Sequence, residues 1–283
     1  MSRGDLPSGG PAPGWVPHGG PAPILALLWV AVAYAAFQLI VGLLSWRGAS
    51  LDLVSLGAAE AAAYLVVIFL LLHRYERGTP LRAALALRPT YAGLVLAGAA
   101  LGASLKLPAE ALTDLIERFF PTSDAQLVAR AALYRTDTLA EVLGLSFVTC
   151  LLAPLVEELF FRGALYGRLV RVSVPWAGLA TGFSFVIVHS DPRHWPALLV
   201  VSAALSYLRA ASGSLLPSLA LHVTFNAAGV LALVLGAVSP TRPLAVPWWA
   251  TTWSWLIACA ISLWAVLAAA HPEAQRARRE DRP

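Results

Sequence analysis

The residues best suited to catalysis form a charged run inside an apolar segment, Glu157-Glu158-Leu159-Phe160-Phe161-Arg162. Residues four apart lie on the same face of a helix, so Glu158 can pair with Arg162. Glu157 points about 100° away, toward apolar neighbours that cannot neutralise it. A carboxylate without a cation partner can take a proton from water, as a general base does. The run predicts one structural and one reactive glutamate; the alternative is a charge network that only holds helices together.

Two further polar groups lie in later apolar segments. Phe185 and His189 are four residues apart, so the phenyl ring can hold the imidazole in place. His222 and Asn226 have the same spacing and present adjacent hydrogen-bond donors of the kind that stabilise an oxyanion. Taken singly, each motif has a structural alternative: His189 can be a residue at the membrane interface, and the His222–Asn226 pair can form hydrogen bonds between helices.

The composition indicates which solvent surrounds these groups. Hydrophobic residues make up 58% of the 283 residues and charged residues 13%, whereas soluble domains have roughly 45–50% and 25%. The apolar residues form long runs, which predicts an all-α, polytopic membrane protein and excludes a secreted, disordered or nucleic-acid-binding protein. Cys150 and Cys259 lie within apolar runs, so we expect neither a disulfide nor a cysteine nucleophile.

Runs of about 20 apolar residues, the length that crosses a roughly 30 Å hydrocarbon layer, predict about eight transmembrane helices. At ~1.5 Å per residue, Glu157, His189 and His222 all fall in the middle half of that layer, so the helices can enclose one polar intramembrane cavity. The fifth and sixth runs are short. The predicted spans are 24–46, 53–72, 91–107, a longer run from 139 to 168, 176–189, 196–207, 215–238 and 248–270.

The predicted organisation has three parts. A flexible Gly- and Pro-rich tail over residues 1–23 precedes a membrane domain over 24–270, whose motif core is 139–238, and an Arg-rich tail over 271–283 follows. An even number of spans puts both termini on one side, and most of the 20 Lys and Arg residues then fall on that side, which predicts cytoplasmic termini. An amphipathic interfacial helix is predicted after Pro108 from the helical spacing of Leu112, Leu115, Ile116, Phe119 and Phe120.

In order and spacing, the three motifs resemble those of the CAAX endopeptidases and their bacterial relatives, the CPBP or Abi family of intramembrane glutamic proteases. The family pattern is E-E-x-x-x-R, then F-x-x-x-H, then H-x-x-x-N or H-x-x-x-D on membrane helices. Residues 157–162, 185–189 and 222–226 match it without a departure. The Gly- and Pro-rich N-terminus and the Arg-rich C-terminus match nothing in the pattern.

This resemblance implies hydrolysis of a peptide bond by activated water, with no acyl-enzyme, no cofactor and no metal. It implies a peptide or protein substrate, membrane-associated and cut in its C-terminal region, and the nearly Lys-free composition favours a bacterial plasma membrane. The implied roles are Glu157 as the base, His189 as a group that positions water, His222 and Asn226 as the oxyanion hole, and Glu158, Arg162 and Phe185 as supporting residues.

Three alternatives stay open. One carboxylate and two histidines are the ligand set of a catalytic zinc, although the sequence has no H-E-x-x-H motif. A membrane scaffold or bacteriocin self-immunity protein could keep the cavity and bind a peptide without cutting it. A proton-coupled transporter could use Glu60 and Lys106 as additional intramembrane charges, but Glu60 is more simply interpreted as a paired contact between helices.

Overall fold

The computed structural model describes residues 23–49, 51–236 and 247–281. The regular secondary structure in these ranges is helical. No strand occurs in these ranges. Seven of their helices are long and apolar enough to cross a membrane, and an eighth apolar helix is shorter. The all-α, polytopic prediction is confirmed, whereas the predicted N-terminal tail lies, but for Pro23, outside the described residues.

The helices are, in chain order, α1 (Pro23–Trp46), α2 (Leu53–Tyr75), α3 (Leu81–Ala84), α4 (Ala92–Glu117), α5 (Asp124–Leu133), α6 (Leu139–Leu169), α7 (Val174–Val188), α8 (Trp195–Ser212), α9 (Leu216–Val234), α10 (Trp248–Ala268) and α11 (Pro272–Asp281). The short apolar helix is α7. The sixth predicted span proves longer than expected, because α8 continues to Ser212.

The predicted interfacial helix after Pro108 is wrong as a separate element. Pro108 lies inside α4, which continues to Glu117 and so contains Leu112, Leu115 and Ile116; Phe119 and Phe120 follow its end. Lys106 and Glu110 form an ion pair of 2.6 Å one turn apart, so both charges are satisfied within the helix. With 26 residues, α4 is ~39 Å long and exceeds the hydrocarbon layer.

The Arg-rich C-terminal segment contains a helix. Residues Pro272–Asp281 form α11, whose Ala274 and Ala277 are buried. The backbone of Ala277 passes beside Gly213, which ends α8 with a φ of +64°. A side chain at Gly213 would overlap that backbone, so this glycine is what allows α11 to approach the end of α8.

Close packing of α4 against α9 fixes the height and rotation of the helix that carries His222. A Cβ atom at Gly102 would overlap the Leu221 carbonyl oxygen and the Thr224 hydroxyl. The Thr224 hydroxyl donates a hydrogen bond of 2.8 Å to the carbonyl oxygen of Ala99 on α4. Small residues and hydroxyl groups replace the hydrophobic effect as the source of helix association where the solvent is itself apolar.

An aromatic cluster joins α2, α6 and α7 beside the motif residues. Tyr64 lies 5.0 Å from Phe160 and 5.8 Å from Phe161, measured between ring centroids. Phe161 in turn meets Phe185 edge to face at 5.5 Å. All four side chains are buried. Since edge-to-face contacts prefer one geometry, the cluster fixes the rotation of α6 relative to α2 and α7.

We expect Gly102→Ala to destabilise the protein, because the added methyl group must push α9 away from α4. Overpacking of this kind costs typically about 1–3 kcal/mol, and it should appear as a lower apparent melting temperature in detergent. Gly42→Ala on α1 is the matched control, since a Cβ there meets no other atom within 4 Å. Equal melting temperatures for the two variants would contradict the proposed contact.

Candidate active site

Helix α6 places its two glutamates on a short α-helical section between two π-helical sections. The α-helical section is Ala153–Glu158, and the π-helical sections are Val148–Leu152 and Leu159–Leu165. A π-helical section adds a residue to the turn, which shifts the face that the following side chains occupy, and such sections are frequent at functional sites. Glu157 is 6% exposed and Glu158 is fully buried.

The predicted pairing of Glu158 with Arg162 is present. Arg162 Nη1 lies 3.0 Å from Glu158 Oε1, and both side chains are completely buried. Arg162 Nη2 also donates a hydrogen bond of 2.9 Å to Ser202 Oγ on α8, and the guanidinium lies 4.6 Å from the Phe185 ring centroid on α7. The arginine therefore neutralises one glutamate and links three helices at the same point.

The imidazole of His222 lies between the two glutamates. Its Nδ1 is 3.2 Å from Glu158 Oε1, and its Nε2 is 3.4 Å from Glu157 Oε2. Phe185 meets this ring edge to face at 5.6 Å. A neutral imidazole has one N–H and one acceptor nitrogen, so both contacts can be hydrogen bonds only if His222 or one carboxyl group gains a proton. The spacing of the motifs gave no indication of this bridge.

Asn226 lies one turn further along α9. Its Nδ2 donates a hydrogen bond of 2.8 Å to the carbonyl oxygen of Thr149, in the first π-helical section of α6. This contact uses one of the two N–H donors of the carboxamide. Asn226 is thus oriented by the irregular backbone of α6, on the same helix face as His222.

His189 sits immediately after the last residue of α7. Its Nδ1 lies 2.7 Å from the carbonyl oxygen of Phe185; a carbonyl can only accept, so Nδ1 carries the proton and Nε2 is an acceptor. Trp195 Nε1 donates a hydrogen bond of 2.8 Å to the His189 carbonyl oxygen. The Phe185 and His189 rings lie 4.7 Å apart, as their spacing predicted. These contacts hold the imidazole at a fixed tautomer and orientation.

The loop between α7 and α8 is held by an ion pair. Arg193 Nη2 lies 2.7 Å from Asp191 Oδ2, and Arg193 Nη1 donates to Thr122 Oγ1 at 2.7 Å. Burial opposes the charge on Asp191, but hydrogen bonds from the Arg193 side chain and backbone outweigh it and lower the pKa of the Asp191 carboxyl. The loop therefore stays charged and fixed at neutral pH.

Glu60 on α2 is a member of this cluster that the sequence interpretation missed. Its carboxyl group lies beside that of Glu157, so its neighbour is a second acid and not the counter-charge expected of a paired helix contact. Glu60 and His189 both line a cavity of about 100 Å³, together with Tyr34, Phe37 and Tyr64. The available signal was an acid in the middle of an apolar span, which needs a partner or a function.

The cluster is therefore a chain of polar contacts that runs from Arg162 through Glu158, His222 and Glu157 to Glu60. His189 joins it at the cavity and through Phe185. Asn226 lies at its side, bound to α6. In the part of the chain that the structure describes, no group of three or more His, Cys, Asp or Glu side chains has an arrangement that could hold a metal ion.

Residues 118–228 match the family model of the Rce1-like type II CAAX prenyl endopeptidases. The matched segment contains all three motifs, and it confirms the resemblance that their residues indicated. The match indicates an intramembrane protease of the CAAX endopeptidase type. The chain matches no curated protein and no solved structure at a significant level.

We expect Arg162→Met to destabilise the protein strongly, because it leaves Glu158 as a buried charge without its cation. Removal of one partner from a buried ion pair typically costs about 3–5 kcal/mol. Arg171→Met is the matched control: Arg171 pairs with Glu76 at 2.9 Å but is 28% exposed, and exposed pairs are worth at most about 1 kcal/mol. Both are compared by their apparent melting temperatures in detergent.

The double variant Glu158→Gln/Arg162→Met tests the cause. It removes both charges, so it should recover a large part of the stability that Arg162→Met loses. If the double variant is no more stable than the single one, the loss does not come from the unpaired charge of Glu158.

Proposed function

We propose that this protein is a metal-independent intramembrane glutamic endopeptidase in which Glu157 activates the attacking water. The observation that carries the proposal is the different environment of two neighbouring acids. Glu158 is bound by Arg162 at 3.0 Å, whereas Glu157 contacts an imidazole at 3.4 Å and a second carboxyl group. Glu158 is thus committed to structure, and Glu157 is the acid that remains for proton transfer.

In the proposed reaction, Glu157 removes a proton from water as the water oxygen bonds to the scissile carbonyl carbon. His189 Nε2, free to accept because Nδ1 is bound to Phe185, orients that water. The carbonyl oxygen becomes an oxyanion beside Glu157, which the His222 Nε2–H, on the Glu157 side of that ring, and the second N–H of the Asn226 carboxamide stabilise. The carbon–nitrogen bond then breaks as the nitrogen takes the proton that Glu157 removed from water, and a carboxylic acid is released, so no acyl-enzyme forms.

We further propose that the substrate is a peptide segment in the membrane, cleaved near its C-terminus. Glu157 precedes Arg168 by eleven residues, which is ~16 Å of helix, so the scissile bond must reach well below the membrane surface. A folded domain does not fit at that depth, but an extended terminus does. The matched family is that of the Rce1-like CAAX prenyl endopeptidases, so a prenylated C-terminus is the first substrate to test.

We place the protein in a bacterial plasma membrane with both termini in the cytoplasm. Glu76, just after α2, forms ion pairs with Arg168 and Arg171 at the end of α6, so these ends lie together. The Arg-rich α11 packs beside the end of α8. Clustered arginines at the ends of spans favour the cytoplasmic side. A C-terminal alkaline phosphatase fusion should be inactive, and a C-terminal fluorescent protein bright; the opposite result would reverse the orientation.

We expect Glu157→Gln to lower peptide turnover by about 10²–10⁴-fold, the usual contribution of general acid–base catalysis. The assay uses detergent-purified protein and a fluorogenic peptide library, prenylated and unprenylated. Glu110→Gln is the control, because it makes the same change in a span but in the Lys106 pair on α4. Equal turnover by Glu157→Gln and the unaltered protein would refute the mechanism.

Two additional measurements separate the alternatives. Turnover should survive a strong chelator; loss that zinc restores would support a zinc protease instead. Full complementation of a deletion strain by Glu157→Gln would indicate a scaffold or immunity protein that binds a peptide without cutting it.

A further inference from the structure

Glu60 is the acidic residue of the cluster to which neither the motifs nor the proposed mechanism gives a role. It lies in α2, far from α6 in sequence, yet its carboxyl group lies beside that of Glu157. It also lines the cavity that His189 lines. Glu60 therefore lies beside the proposed base and also borders a cavity next to it.

Two neighbouring carboxyl groups can share a hydrogen bond only when one of them carries a proton, because two carboxylates are both only acceptors. The charges around the pair favour that state. The fixed positive charge of the site, Arg162, is already bound to Glu158 at 3.0 Å. Two further carboxylates, side by side in an apolar region, would repel each other, and a shared proton removes the repulsion.

The other groups that face this pair carry no permanent positive charge that could neutralise a second carboxylate in place of the proton. They are imidazoles and phenols: His189 at the end of α7, His222 on α9, Tyr34 on α1 and Tyr64 on α2 itself. His189 is committed through Nδ1 to the Phe185 carbonyl, and His222 lies between Glu157 and Glu158. The arrangement is thus an acid next to a base, with the acid on the side of the cavity.

We infer that Glu60 is a second catalytic carboxyl group, which in its protonated form gives its proton to the leaving nitrogen of the peptide bond. The inference rests on the proposed peptide hydrolysis. With Glu60 as the proton donor, Glu157 does not have to act first as the base and then as the acid.

The proton balance closes over one turnover. Glu157 takes a proton from water while the water oxygen bonds to the carbonyl carbon, and Glu60 gives its proton to nitrogen while the carbon–nitrogen bond breaks. The products are a carboxylic acid and an amine. The pair again holds one proton, now on Glu157, and its transfer across the hydrogen bond to Glu60 restores the starting state.

The test compares an amide with an ester, because an alkoxide from an activated ester leaves without help from an acid, whereas an amine does not. The probes are the fluorogenic peptide that the unaltered protein cleaves fastest and a depsipeptide of the same sequence with an activated ester at the scissile bond. Glu60→Gln should lower amide turnover by about 10²-fold or more and ester turnover by less than about 10-fold. Glu157→Gln should lower both.

The ratio of ester to amide turnover is the decisive readout, because it does not depend on how much of a variant is folded. Glu110→Gln, which changes another glutamate within a span, should leave the ratio unchanged. Glu60→Asp keeps an acid at the position and should keep the ratio closer to that of the unaltered protein than Glu60→Gln does.

The outcomes distinguish the two proposals. If Glu60→Gln lowers amide and ester turnover equally, or lowers neither, Glu60 is not the proton donor, although Glu157 can still be the base. If Glu157→Gln cleaves both probes as fast as the unaltered protein, or the unaltered protein cleaves no peptide, the proposed function itself fails.

Discussion

A buried charge in an apolar surrounding must be paired, and the ion pair between Glu158 and Arg162 is the contact on which this structure depends. The pair does more than neutralise two charges within α6. Arg162 reaches Ser202 on α8, and the Ser202 hydroxyl donates in turn to the Gly182 carbonyl oxygen on α7 at 3.1 Å. Glu158 also contacts the imidazole of His222 on α9. Four helices therefore meet at one ion pair, because each supplies a polar group that needs a partner in an apolar surrounding.

The packing of helices away from the charged residues also positions the groups around this ion pair. Close contact of α4 with α9 at Gly102 brings His222 to the level of Glu158, and the aromatic cluster around Phe161 sets the rotation of α6. Rigid support of this kind matters for catalysis, because proton transfer needs donor and acceptor within about 3 Å. Loops contribute least to the positioning of the site residues. The exception is the segment after α7, where Trp195 and the Asp191–Arg193 ion pair hold His189.

The cluster differs from a simple glutamate–water site in its number of acids. Three carboxyl groups and one fixed cation lie in a single connected chain, and His222 connects two of the acids. Such a group can pass a proton from one member to another without a change in its total charge, which is an advantage where charge is costly. The match of residues 118–228 to the CAAX endopeptidase family model agrees with the proposed peptide hydrolysis in the membrane, and in our proposal the acid pair supplies a donor as well as a base.

The sequence alone determined the properties that depend on spacing along one helix. Composition predicted the apolar spans, and intervals of four residues predicted both the Glu158–Arg162 pair and the Phe185–His189 contact, because neighbours on a helix face must meet. The course of α4 through Pro108 was missed, since an internal proline usually ends a helix. Only the tertiary structure decided which helix faces meet, and it placed His222 between the two glutamates and Glu60 against Glu157. Those contacts join residues far apart in the chain, and no local spacing rule constrains them.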